Sequence, residues 1–356
     1  LDYLKKNGVA VRPYREILDG IAAIDVPTVM LVSVENVNYR LYLAMEENPR
    51  VTIVKGEEPV FCLKAVKNPV EIANTKNAHI KEGVAMARLQ MCLEEKLAAG
   101  ETVSETDVGE LLVDFRKEQE GYMEDSFAVI AAYGANAAMM HYHPTPENHA
   151  VLQRKGFLLL DTGGQYVDGT TDTTRTYALG ELTDEERRYY TYVLKANIGI
   201  ARTVFMEGCS GANLDIMSRT QIWKYGLDYR CGTGHGVGFV GPIHEGPQSL
   251  RMTNHVPFQP GMTITDEPGI YEEGLVGVRI ENELLVVEHM ETKYGKFYAF
   301  QPITYLPIDT TPVVLELMNE EEISWLNDYH QMVYDTLSPR MTERERIWLK
   351  EKIKPL

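Results

Sequence analysis

The chain is short of basic residues: 35 Lys and Arg stand against 52 Asp and Glu over 356 residues, a formal charge of −17. With that deficit, and with no block of like charges, neither a nucleic-acid partner nor a membrane-surface partner is expected. No run approaches the roughly 18 apolar residues that a membrane-crossing helix needs. Cysteine is scarce too. Cys62, Cys92, Cys209 and Cys231 show no Cys-x-x-Cys spacing, which argues against a zinc knuckle and a disulfide scaffold. The expectation is buried free thiols in a reducing, cytoplasmic setting. The opening Leu1-Asp2-Tyr3-Leu4-Lys5-Lys6 lacks the basic-then-apolar order of a signal peptide and does not start with Met, so a fragment of a longer protein is expected. No Pro/Ser linker, low-complexity tract or solenoid-length repeat is present.

What remains is an ordinary globular composition, 44% apolar and 24% charged, with ample length for a core. The first 60 residues read as a small α/β piece, with a short helix near Tyr14–Ile24 and apolar β-branched strands at Val26–Val34 and Val51–Val54. Pro69 opens a helix that runs to the Gly100 stop, and Ser104 with Asp107 opens another, to about Glu120. Strands are expected at Phe127–Ala131, Phe157–Leu160 and Thr174–Leu179. A helix capped by Thr183 and Glu186 then spans about Asp184–Phe205, and another about Ala212–Tyr225. One long strand is read from Val276 to Glu288, with terminal helices at about Glu320–Thr336 and after the Thr342/Glu345 cap. Strands and helices cluster rather than alternate, which favours α+β over a doubly wound sheet.

Three segments place polar residues where an apolar strand would not want them. In the first, Leu158-Leu159-Leu160 runs into Asp161-Thr162-Gly163-Gly164, and Asp172 follows in Thr171-Asp172-Thr173. Two adjacent strands could present both carboxylates to one point, although Asp-Thr-Gly-Gly is also good turn chemistry. In the second, His235 lies in Cys231-Gly232-Thr233-Gly234-His235-Gly236 and His244 in Pro242-Ile243-His244-Glu245-Gly246-Pro247. Imidazoles among such small residues suit ligation or proton transfer, or a structural role. The third holds Asp266-Glu267-Pro268-Gly269 and Val278-Arg279-Ile280-Glu281. Alternation puts Arg279 and Glu281 on one face, where Glu281 either pairs with a base or coordinates a cation.

Gly236-Val237-Gly238-Phe239-Val240-Gly241 matches the dinucleotide fingerprint in letters only. The fingerprint needs a strand before it and a helix after it, whereas a glycine loop precedes here and Pro242 follows, so the nicotinamide reading is rejected. Two Asp, two Glu and one His form a carboxylate-rich set that suits two divalent ions sharing carboxylates and activating a water for hydrolysis. A structural zinc site would show Cys, and a calcium loop would show closely spaced acids.

These segments resemble the pita-bread metallopeptidases, and among them the long, three-domain Xaa-Pro aminopeptidases, from about Phe61 to the C-terminus. The resemblance implies a pita-bread catalytic domain at 61–306, preceded by the remnant of a middle creatinase N-terminal-like domain at 1–60. A C-terminal extension at 307–356, with Gln301-Pro302-Ile303-Thr304, Trp325 and Trp348 near or within it, would serve in a homodimer. It implies Asp161, Asp172, His235, Glu267 and Glu281 as ligands of two divalent ions, with Mn²⁺ favoured and Zn²⁺ or Co²⁺ open. Asp172 and Glu281 would bridge the ions, Asp161 would complete one shell, and His235 with Glu267 the other.

Glu267 would also be general base toward a metal-bridging water, and His141 and His244 would position substrate and stabilise the tetrahedral intermediate. Arg279 would hold a ligand carboxylate. The implied reaction removes an N-terminal residue from peptides with proline second. Prolidase action on Xaa-Pro dipeptides, and less readily a non-catalytic peptide-binding module, are the alternatives; metal-free creatinase chemistry does not suit retained carboxylates. Cys231 stands in the substrate pocket where close relatives often have histidine, and a thiol does not carry a proton in the same way near pH 7.

Overall fold

In a computed structural model describing residues 1–356, the chain forms two compact units, Leu1–Leu63 and Lys64–Leu356. The smaller unit contains α1 (Asp2–Lys6), α2 (Ile17–Ala22), β1 (Thr28–Val32), α3 (Tyr39–Glu47) and β2 (Val51–Lys55). β1 and β2 pair in parallel, Thr28 opposite Val51, so α3 is the crossover that a parallel pair requires. The sequence reading did not identify α3. Asn38 caps it, and Asn48 just beyond it donates to the carbonyls of Ile21 and Ile24, which ties α2 to α3. α4 (Pro59–Ala65) spans the unit boundary.

The larger unit begins with α5 (Pro69–Ala98) and α6 (Glu105–Lys117). α6 starts in the Ser104/Asp107 capping box that the sequence signals, and α5, expected to open at Pro69, also starts in a box, Asn68 with Glu71; both satisfy amide donors otherwise orphaned in the first turn. Next come β3 (Tyr122–Asp125), β4 (Ile130–Tyr133), β5 (Phe157–Thr162), β6 (Gly164–Tyr166), β7 (Gly169–Thr170) and β8 (Thr173–Ala178). They make two antiparallel sheets, ordered β4-β5-β8 and β3-β6-β7. The strand expected at Phe127–Ala131 lies later, at Ile130–Tyr133. Ser126 donates its amide to Gly163, and Phe127 and Ala128 instead line a cavity.

α7 (Asp184–Ala201) and α8 (Gly211–Trp223) pack together, separated by β9 (Val204–Met206). The helix expected to reach Phe205 stops at Ala201. β-branched Thr203 and Val204 suit an extended chain, and β9 pairs with a strand of another sheet, burying Phe205. The remaining strands are β10 (Gly234–His235), β11 (Ser249–Leu250), β12 (Thr263–Asp266), β13 (Gly269–Glu272), β14 (Val276–Arg279), β15 (Asn282–Thr292) and β16 (Gly295–Pro302).

The single strand read at Val276–Glu288 is in fact two strands in different sheets. β14 pairs with β13, and β15 lies between β12 and β16 in the order β12-β15-β16-β9. The break falls at Ile280–Glu281, where the Glu281 amide donates to the carbonyl of Thr174, a residue of β8 that lies opposite Asp161. Helices α9 (Glu320–Leu337) and α10 (Glu343–Lys352) complete the unit. Their apolar faces enter the same core cluster as α7 and β14, with Leu326, Val333, Leu337 and Leu349 fully buried. The α+β class expected from clustering of elements is the one adopted.

No helix is long and apolar enough to cross a membrane. All four cysteines are free, but the expectation of burial fails: Cys62 is exposed and the other three are half-buried. Cys62 lies on α4, whose one buried residue is Ala65.

Candidate metal centre

Two close backbone approaches assemble the site. A Cβ at Gly163 would lie 1.8 Å from the Thr171 carbonyl oxygen, and one at Gly234 would lie 1.8 Å from the Thr265 carbonyl oxygen. Only glycine permits these contacts. The first brings the end of β5, with Asp161, against the start of β8, which Asp172 immediately precedes; Thr162 and Thr173 are opposite each other in that ladder. The second lays β10, with His235, against β12, whose end leads into Glu267. Glu281, at the strand break, points between them.

The five residues read from the sequence meet at one place. Ligand-capable atoms of Asp172, His235 and Glu281 lie within 4.8 Å of one another. His235 Nε2 is 3.3 Å from Glu267 Oε1 and 3.5 Å from Asp172 Oδ2. Asp161 joins through Arg279, whose Nη2 donates to Asp161 Oδ2 at 2.6 Å. Arg279 Nε also donates to Thr174 Oγ1, which donates to Glu281 Oε2 at 2.7 Å. The guanidinium therefore spans the site, and its third contact is Tyr271. On the far side of the imidazole, His235 Nδ1 faces the Gly236 carbonyl at 3.0 Å, which leaves Nε2 directed toward the carboxylates.

The electrostatics call for positive charge. Burial raises the Asp172 carboxyl to about 7, with the Asp161 and Glu267 charges adding to the rise and His235 opposing it. Burial also raises Glu281, and Asp172, Glu267 and Asp161 push the same way. Glu267 is raised by burial, against the pull of His235 and Arg279. For His235 burial acts downward, but Asp172 and Glu267 outweigh it and hold the imidazole up at about 9. Asp161 Oδ1 and Glu281 Oε1 are buried without any donor, a costly state for an acid unless a cation is bound. The donor set, four carboxylates and one imidazole, is the one that borderline-to-hard divalent ions prefer. These residues fit a pair of such ions.

A cavity of about 250 Å³ opens on this group, lined by Asp161, Asp172, His235, Glu267, Arg279 and the other residues singled out from sequence: His141, Cys231 and His244. The His235 and His244 rings meet edge to face, with centroids 4.2 Å apart. Burial lowers the His244 pKa, as do the neighbouring His235 and His141, so that imidazole is neutral at pH 7. The Cys231 thiol is pushed up to about 11 by burial and by Glu267, and stays protonated. Gly236–Gly241 runs through an irregular loop with no helix after it, as its rejection as a dinucleotide motif requires.

Sequence reasoning missed His143, Tyr271 and the apolar wall of Phe127, Ile130, Met140 and Ile243. His143 had a legible signal: it lies two residues beyond His141, and Tyr142 between them is buried, so both imidazoles leave one face of an extended chain.

Known proteins resemble this chain along its whole length. The model for metallopeptidase family M24 matches residues 73–288, that for the C-terminal region of peptidase M24 matches 296–356, and that for a creatinase/prolidase N-terminal domain matches 1–71. The chain is 37% identical over 389 residues to aminopeptidase P2 of Arabidopsis thaliana, covering all of this chain and 55% of that protein. An X-prolyl aminopeptidase structure from Caenorhabditis elegans, described as a cytosolic enzyme with a di-nuclear active site, matches with TM-score 0.91 and 33% identity, over 100% of this chain and 59% of that one. An Xaa-Pro dipeptidase from Bacillus anthracis matches with TM-score 0.64 and 29% identity, over 78% of this chain and 73% of that one. The chain thus spans a little over half the length of the aminopeptidases it matches.

Proposed function

Because this chain belongs to metallopeptidase family M24, with its pita-bread fold, we propose that it is the catalytic portion of an Xaa-Pro aminopeptidase. The reaction is hydrolysis of the peptide bond between an N-terminal residue and a following proline. The observation that carries the reading is the convergence of four carboxylates and one imidazole on a cavity where buried carboxylate oxygens lack donors.

Asp161, Asp172, His235, Glu267 and Glu281 would hold two divalent cations, Mn²⁺ by preference for a carboxylate-dominated set, with Asp172 and Glu281 shared between them. When bound, the cations supply charge that offsets the carboxylates, acidifies a water and polarises the scissile carbonyl. Glu267, oriented by the Thr265 hydroxyl at 3.0 Å, takes the proton of the attacking water. As the carbon–nitrogen bond breaks, that proton passes to the departing proline nitrogen. His141 and His244 contact the substrate carbonyl, and neutral His244 can donate one N–H to the developing oxyanion. Arg279 fixes Asp161. Cys231 contributes a neutral, weakly polar surface beside substrate.

The domain reading is part of the proposal: 1–60 as the end of a preceding creatinase-like domain, 61–306 as the catalytic domain and 307–356 as a C-terminal extension used in a homodimer. A cytosolic location is proposed in parallel with the Caenorhabditis elegans enzyme. The dipeptidase alternative is weaker, since the aminopeptidase likeness extends over the whole chain at higher identity. Elemental analysis combined with cleavage of Xaa-Pro-Xaa and Xaa-Pro peptides tests the reading. Two equivalents of metal and preference for the tripeptide are expected; activity that survives complete chelation overturns it.

A further inference from the structure

Glu105, the first residue of α6, is completely buried, yet no cation touches it. Its Oε1 accepts from the Tyr133 amide at 2.6 Å and from Asn136 Nδ2 at 3.0 Å. Its Oε2 accepts from the Tyr142 hydroxyl at 2.8 Å, the Ala150 amide at 2.7 Å and Asn136 Nδ2 at 3.2 Å. The charge is carried by neutral donors and by the positive end of the α6 dipole.

Every donor lies between Tyr133 and Ala150, at the entry, the middle and the exit of one connection. Its first part, a 3₁₀ turn at Gly134–Ala138, packs on β14 through buried Ala137, whereas the stretch beyond it, from Met139 to His149, is irregular apart from a Thr145–Asn148 bridge. It carries His141 and His143, which line the cavity, and between them buried Tyr142 reaches inward to Glu105. We propose that Glu105, acting through Tyr142, is a positioning residue that sets where the His141 and His143 imidazoles stand over the carboxylate group. The inference rests on the peptidase reading for its kinetic consequence, but its geometric part does not.

The purpose of such an arrangement follows from reach. An imidazole on a connection between strands is free to swing, and a displacement of about 1 Å is enough to cost on the order of 10²-fold in rate. Four separate tethers to a single buried carboxylate remove that freedom without placing a second charge beside the ligands.

The test is a double-mutant cycle on the full, metal-loaded chain with an Xaa-Pro-Xaa peptide, using Tyr142→Phe, His141→Ala and the pair, with Glu105→Gln as a second probe. Tyr142→Phe removes one tether and leaves both backbone amides on Glu105, so the fold survives. Expected are a roughly tenfold fall in kcat with KM within twofold, unchanged metal content, and faster amide exchange confined to residues 134–149. Once His141 is Ala, Tyr142→Phe should cost clearly less than it does in the wild-type chain, the remainder being carried by His143. Additive losses, or an unchanged kcat for both Tyr142→Phe and Glu105→Gln in an active wild-type chain, overturn the inference. A wild-type chain without peptidase activity overturns the functional reading instead, and amide exchange in Tyr142→Phe still decides the tether: unchanged protection at 134–149 overturns it.

Discussion

Consecutive residues of β5, Asp161 and Thr162, face two clusters of buried charge built from similar residue types. On the Thr162 side, Arg116 donates through Nε and Nη2 to Glu82, through Nη2 to Thr162 Oγ1 and through Nη1 to Asp125 at 2.6 Å. Tyr166 and Tyr122 donate to Glu82 and Asp125. Both oxygens of Glu82 and Oδ1 of Asp125 have donors, and neither residue has a buried oxygen left unpartnered. On the Asp161 side, four acids share one guanidinium and one imidazole, and two buried oxygens have no partner. The first cluster is finished by the protein alone; the second is finished only by added cations. Both sides bury acids around one guanidinium, and what distinguishes the Asp161 side is that two of its buried oxygens are left without a donor.

Substitutions sharpen that contrast. Asp172→Ala should lower the proposed peptidase activity about 10⁴-fold, on the order of 5 kcal/mol of lost transition-state stabilisation. The same change should raise the melting temperature of the metal-free chain, because it removes a repelling charge; a fall would blur the distinction. Arg116→Met, across the strand, should do the reverse, stranding Glu82 and Asp125 at a cost of about 4 kcal/mol in denaturant titrations, whatever the metal content.

His330 provides a buried titratable group that belongs to neither cluster. Its Nε2 accepts the Ile308 amide at 3.1 Å, so it must be neutral, and burial together with Arg175 lowers its pKa to about 4. The unfolded chain, at an ordinary pKa near 6.5, binds the proton first. Its contribution to stability is therefore complete above about pH 6.5 and is lost as pH falls toward 4, roughly 3 kcal/mol in all. Unfolding free energies of wild type and His330→Gln, compared at pH 7 and pH 4.5, should show a smaller pH slope in the variant. The smallest expected effect is Tyr166→Phe, which takes one donor from Glu82 while Arg116 remains, at about 1 kcal/mol; a loss as large as that of Arg116→Met would mean that the network does not share its burden.

Much of this was legible from sequence where local and tertiary demands agree. The capping boxes mark the helix starts, and the acids that interrupt apolar strands are the ones that gather at the cavity. The illegible parts are those decided by partners far along the chain. Nothing local distinguishes Val276–Glu288 from one long strand, because the break at Ile280–Glu281 exists to meet Thr174. Glu105 reads as an ordinary acid in a first helical turn, favourable for the dipole, and its five contacts come from residues 28 to 45 positions away. α7 ends early for a like reason, since β9 answers to β16.

The interruption at Ile280–Glu281 has a mechanical meaning as well. Glu281 is fastened by its amide to the β8 side, while the next residue, Asn282, opens a strand paired with β12, which ends at the neighbour of Glu267. Glu267 and Glu281 thus flank one paired position of the β12–β15 ladder, Asp266 opposite Asn282, and Thr174 anchors only the second of them to β8. The spacing of these two acids is therefore set by a single ladder rung, so a register slip between β12 and β15 would pull the two carboxylates apart.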